Sequence, residues 1–239
     1  MKTLLLFGLI LLFAIACNTD RQPLLDMTVL KDSTDEIPHL SYEDVRQFLD
    51  YSNTELIWYE VSIAQRELTD VRYGIIANSH LPKGEPNQTT EQQRKVAVKR
   101  FLKETETMLG QDFQHGSQEQ SHLYFGIAEE LNKLSKGKAH HKVLVISSNL
   151  LENTNIFSAY RPKDLKLLQE NPDSVINLLN DQLPLENLIG VKVYIIYPAI
   201  PEDHELFVSM STLYKTMLTR KGAKVYIAGN LIPETLTAP

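Results

Sequence analysis

Oxygen-bearing side chains gather where the apolar runs of this sequence end. Asp32, Ser33, Thr34, Asp35 and Glu36 follow Met27-Thr28-Val29-Leu30, and Ser147, Ser148 and Asn149 follow Val143-Leu144-Val145-Ile146. Glu202, Asp203 and His204 come soon after Val191 to Tyr197, while Ser117 and Ser121 sit in a polar stretch before another apolar pattern. Carboxylate, hydroxyl and amide oxygens are hard donors, which suit a divalent cation such as magnesium. The chain has no Gly-x-Ser-x-Gly elbow, no Gly-x-x-x-x-Gly-Lys-Ser/Thr phosphate loop and no Gly-x-Gly-x-x-Gly fingerprint, so these residues come without a catalytic motif around them.

One further residue has chemistry of another kind. Cys17 is the only cysteine of the 239 residues, which excludes an intramolecular disulfide. It ends a segment made of Lys2, an apolar run from Leu4 to Phe13, and Ala14-Ile15-Ala16. That is the order of a signal peptide, a charged start and a short apolar core before small residues. The run falls short of the roughly 20 residues that a membrane span needs. Ala14-Ile15-Ala16-Cys17 resembles the lipobox of bacterial lipoproteins, and that resemblance implies cleavage before Cys17 and acylation of its thiol. Two or more acyl chains anchor a protein stably. Residues 1–16 then read as signal peptide, 17–25 as a lipidated tether and 26–239 as a single domain.

Without Lys2, 23 basic residues face 30 acidic ones, a formal charge of −7. This balance suits neither nucleic acid nor an anionic membrane surface as a partner. With 43% hydrophobic and 23% charged residues, the composition is that of a folded globular domain.

The elements that must position the oxygen clusters follow from periodicity. Met27 to Leu30 reads as a short strand that ends in a polar loop from Lys31. Ser41 caps a helix with Val45, Phe48 and Leu49 on one face. Leu56 to Ile63 and Val71 to Ala77 read as strands joined by a turn at Gln65 to Asp70, with Ser79 to Gln88 as a loop. Thr90 with Gln93 forms a capping box for a helix whose stripe is Val98, Phe101, Leu102, Thr105 and Leu109. The cations of that helix, Arg94, Lys95, Lys99, Arg100 and Lys103, read as solvated surface. Leu123, Ile127, Leu131 and Leu134 mark the next helix, and Val143 to Ile146 a strand buried on both faces. Asn171-Pro172 opens a helix, Val191 to Tyr197 is a strand, Leu206 to Met217 stripes a long helix, and Ala223 to Ala228 is the last strand. The predicted fold class is α/β, a mostly parallel open sheet with helices on both faces and one antiparallel edge strand.

This order of elements, with its loops, resembles the von Willebrand factor type A fold, a Rossmann-like three-layer architecture. The resemblance implies a metal-ion-dependent adhesion site made of Asp-x-Ser-x-Ser after the first strand, a Thr before a middle helix and an Asp after the fourth strand. By position, Asp32 matches the first residue, Thr34 replaces the first Ser as a hydroxyl, and Glu36 stands where the second Ser would be. Ser121 corresponds to the loop Thr and Asn149 to the Asp. The metal set so implied is Asp32, Thr34, Glu36, Ser121 and Asn149, with magnesium as the ion. The function implied is a membrane-tethered module that binds a protein partner in the cell envelope, with or without a bridging cation. Two alternatives stand beside it. One is an envelope scaffold component that has kept the fold and lost the ion site. The other is a phosphohydrolase of the haloacid dehalogenase type, which Asp32-Ser33-Thr34 resembles apart from Thr34 in place of that family's second Asp.

Overall fold

The computed structural model describes residues 22–32, 42–49, 51, 55–68, 75–111, 121–232, 234 and 236. Six strands make one sheet: β1 (Leu25–Asp32), β2 (Val61–Leu68), β3 (Ile75–Leu81), β4 (His141–Ser147), β5 (Val191–Ile196) and β6 (Lys224–Ala228). Their order is β3-β2-β1-β4-β5-β6. All neighbours are parallel except β2 and β3, so β3 is the single antiparallel edge strand that the sequence predicts.

Helices cover both faces because the central strands are apolar on both sides. On one face Met27, Val29, Val143 and Val145 pack with Phe48 and Phe101, beneath helices α1 (Tyr42–Arg46) and α2 (Glu91–Leu109). On the other, Leu30, Leu144 and Ile146 pack under α3 (Leu123–Lys136), α4 (Pro162–Glu170), α5 (Pro172–Gln182) and α6 (His204–Arg220). Leu123, Ile127, Leu131 and Leu134 are all buried, each worth about 1.5–3 kcal/mol of transfer free energy. The predicted capping box is present, with the Thr90 side chain accepting from Gln93 N–H and the Gln93 side chain from Thr90 N–H. Asn171 caps α5 as expected, accepting from Ser174 N–H. α6 ends in a Schellman motif, with Gly222 N–H donating to Thr219 O and Ala223 N–H to Leu218 O. Gly222 sits at φ +96° there, and a Cβ on it would lie 2.7 Å from Ile189.

Several expectations are corrected. β1 runs on through Lys31 and Asp32, both buried, because Lys31 Nζ reaches Leu109 O at the end of α2 at 2.7 Å. Leu24 and Leu25, assigned to the tether, are buried at the start of that strand. Leu56–Trp58 forms a 3-10 turn rather than a strand, and β2 continues through Gln65 and Arg66, which were expected in a turn. The pairing of β2 with β3 shifts between Gln65 and Arg66, a bulge that alternation alone does not reveal. β3 includes Ser79 to Leu81, expected in the following loop. Arg66 pairs with Glu130 of α3, and Thr28 Oγ1 donates to Glu130 at 3.2 Å, so this buried acid has both a cation and a hydroxyl. Arg94 is not solvated: it is buried, with Nη2 on Tyr59 O at 3.0 Å and Nε on Ile57 O.

Candidate functional site

Chain connections leave β1 toward β2 on one side and arrive at β4 on the other, so the carboxyl ends of β1 and β4 flank the switch point of the sheet. Ligands of open α/β sheets bind in the crevice at such a place. Asp32 ends β1 there, and Ser147, Ser148 and Asn149 follow from β4, with Lys31 and Ser147 in register. Side chains alternate along a strand, which puts Asp32 and Ser148 on the α3 and α6 face with Leu30 and Ile146.

Ser148 Oγ donates to Asp32 Oδ2 at 2.6 Å and accepts Leu150 N–H at 2.9 Å. Leu150 sits at φ +60°, a left-handed conformation costly for a leucine. Its side chain is wholly buried, and that packing holds the turn. Asn149 Oδ1 accepts Leu151 N–H at 3.0 Å, the local turn that Asn favours. Ser121 is tied to the same loop by two backbone bonds of 3.0 Å with Asn153. Farther along, Ser158 Oγ donates to Asn153 Oδ1 at 2.8 Å, and Arg161 reaches Thr154 O at 3.0 Å. The loop between β4 and α4 is thus knitted to itself and to the start of α3.

Glu152, wholly buried, lies behind this edge. Its Oε2 accepts Tyr124 N–H at 2.8 Å, and Leu123 N–H also donates to the carboxyl, so it caps α3 where His122 supplies no side-chain cap. Burial pushes its pKa up to about 8, with Asp32 adding to the rise and the two backbone donors opposing it. Burial thus biases Glu152 toward its protonated form. Tyr214 of α6 faces the same group, its hydroxyl pushed well above the usual range by burial and by Glu152, Tyr124 and Asp32. The Tyr124 hydroxyl is anchored 2.9 Å from Asn180 Oδ1 and 2.8 Å from Leu183 O. The sequence pointed to Asp32, Ser121 and Asn149 but not to Glu152 or Tyr214. Glu152 stands three residues past the predicted loop cluster, and Tyr214 reads as one more apolar member of a helix stripe.

Asp32, Ser121 and Asn149 do come to one edge of the sheet; Thr34 and Glu36 lie outside the described residues, as does Cys17. Asp32 is 2%, Ser121 7% and Asn149 4% exposed. Magnesium commonly keeps several waters, and donors covered this far, with the Asn149 oxygen already accepting a backbone N–H, do not fit a hydrated ion as they stand. Among the described residues no group of three His, Cys, Asp or Glu is placed to hold a metal. The Asp32 carboxylate and Ser148 hydroxyl likewise form a buried tie rather than an accessible nucleophile.

The chain matches no family model and no curated protein. Among the described residues no helix is long and apolar enough to cross a membrane.

Proposed function

We propose that the chain is a lipid-anchored protein-binding module of a bacterial envelope, tethered through Cys17 and presenting the carboxyl edge of a von Willebrand factor type A-like sheet to a protein partner. The observation that carries this reading is the apolar dressing of a braced edge. Ile156 and Tyr160, on the loop after β4 that Asp32–Ser148 and Ser121–Asn153 hold, are 46% and 54% exposed, and Ile200, on the loop after β5, is 51% exposed. Aromatic and large aliphatic side chains on a preorganised surface are what protein interfaces use. The topology supports the orientation. The tether enters at Leu25, the amino end of β1, and a strand of eight residues spans about 26 Å, so an anchor at Cys17 leaves the carboxyl edge turned away from the bilayer.

The protein hydrogen bonds that brace this edge support the version that works without an ion, the form expected of an envelope scaffold component. The cation-bridged version, with Asp32, Thr34, Glu36, Ser121 and Asn149 around magnesium, makes the opposite prediction under chelation. The experiment is capture of the partner from solubilised membranes by the tagged, lipidated chain, beside Ile156→Asp/Tyr160→Asp, with and without EDTA. Capture should fall at least tenfold in the double variant and persist in EDTA. Loss in EDTA would establish the cation-bridged version, and capture indifferent to the double variant would overturn the edge as the binding face. Turnover of a phosphomonoester that vanishes with Asp32→Asn would replace the binding module by the phosphohydrolase. Cys17→Ala should move the protein from the membrane to the soluble fraction.

A further inference from the structure

The other unpartnered feature of this sheet is its antiparallel edge. β3 ends the strand order and pairs only with β2; among the described residues no strand pairs with its outer side. Beyond the bulge, Ala77 to Leu81 keep regular register with β2, a run of five residues with Asn78 and His80 exposed. Such an edge is a template for another strand unless something blunts it.

A groove of about 380 Å³ lies alongside, between β3 and α2. Ala77 and Asn78 line it from β3, and Arg100, Lys103, Glu104 and Met108 line it from α2. The small Ala77 leaves the room. The wall carries two cations, Arg100 and Lys103, against one carboxylate, Glu104, and so has a net positive charge. Arg100 has only a loose, exposed contact with Glu104, at 3.8 Å, and Lys103 has no acidic partner among the described residues. In a protein with net negative charge, an excess of cations over carboxylates beside an open strand edge is a local inversion of sign.

We infer that the open edge of β3 and its groove dock an extended peptide segment of a partner protein, added as a seventh strand and carrying acidic side chains toward Arg100 and Lys103. Backbone pairing supplies the affinity in this mode, and alternate side chains entering the flanking groove supply the selectivity. This surface is separate from the carboxyl-edge loops, so the failure of either leaves the other standing.

The test uses fluorescent five-residue probes and the full chain with Cys17→Ser in detergent, read by anisotropy. One probe alternates Val and Glu, a second alternates Val and Lys, and a third has Pro in place of the central Val of the acidic probe, which removes a backbone donor. The acidic probe should bind saturably below about 1 mM, the weak end of specific association, and at least tenfold more tightly than the lysine probe. The proline probe should fail to bind. Arg100→Glu/Lys103→Glu should reverse the preference between the two charged probes, which a folding defect would not do, and Ala77→Leu should block both. Equal binding of the two charged probes, no saturable binding at that concentration, or a preference untouched by the charge reversal would overturn the proposal. So would dimerisation of the chain itself that Ala77→Leu abolishes, since that would give the edge to a second copy.

Discussion

The Ser148 hydroxyl donates to the Asp32 carboxylate across 2.6 Å, joining positions 116 residues apart at the switch point of the sheet. Both side chains are buried, so water does not replace the bond if one partner is removed. Ser148→Ala leaves the carboxylate without this donor and also removes the acceptor for Leu150 N–H. The expected cost is about 2–3 kcal/mol, typical of a lost buried hydrogen bond to a charged group. The diagnostic quantity is the coupling in a double-mutant cycle with Asp32→Asn, measured by urea unfolding. A direct bond gives about 1 kcal/mol or more of interaction energy. Additive single effects would mean that the two side chains brace the edge independently.

Glu152 makes stability depend on pH in the direction opposite to an ordinary salt-bridged acid. Its pKa in the folded chain is about 8 against an ordinary 4.5, chiefly through burial. Between those values the folded state holds a proton that the unfolded state has lost, so stability falls as pH rises through the window; below it both states are protonated and the penalty vanishes. Glu152→Gln keeps an acceptor for Tyr124 and Leu123 N–H and has nothing to ionise. The difference in unfolding free energy between the Gln variant and the native chain should therefore grow from about pH 5 to pH 8, reaching at most a few kcal/mol in favour of Gln. Parallel pH profiles would mean that Glu152 ionises in the folded state at little cost. Taking the difference cancels the contributions of Asp26 and Glu130, whose pKa values burial also raises.

The layers and most elements were legible because their signals are local. Thr90 with Gln93 and Asn171 with Pro172 announce helix starts by side-chain chemistry, and Val143 to Ile146 announces a doubly covered strand by lacking any polar alternation. Polarity misled where burial is compensated at long range. Lys31 and Asp32 read as loop, yet each is buried in β1 against a partner 78 or 116 residues away. Arg94 read as surface because its acceptors, Ile57 O and Tyr59 O, are backbone atoms with no signature in side-chain type. The candidate site was legible as a gathering of oxygens at the switch point. That those oxygens are already committed to the chain was not, since it depends on the tight turn at Leu150 and on Glu152 folding back beneath α3.

The bulge beside Arg66 leaves a third test, on the opposite face of the sheet. Gln65 of β2 is wholly buried among apolar neighbours of the α2 face, between Val29 of β1 and Ala77 of β3 in register. Neither its Oε1 nor its Nε2 has a hydrogen-bond partner among the described residues. An amide in that position has lost its water without gaining a bond, a cost of about 1–3 kcal/mol. Leucine has nearly the same reach and no polar atom, so Gln65→Leu should raise the free energy of unfolding by about 1–2 kcal/mol in urea with an unchanged m value. Destabilisation of that size instead would show that the amide is hydrogen-bonded in solution and that removing it broke a bond. An increase would identify Gln65 as a polar group that the fold carries at a cost, one position away from the irregularity in the β2–β3 pairing.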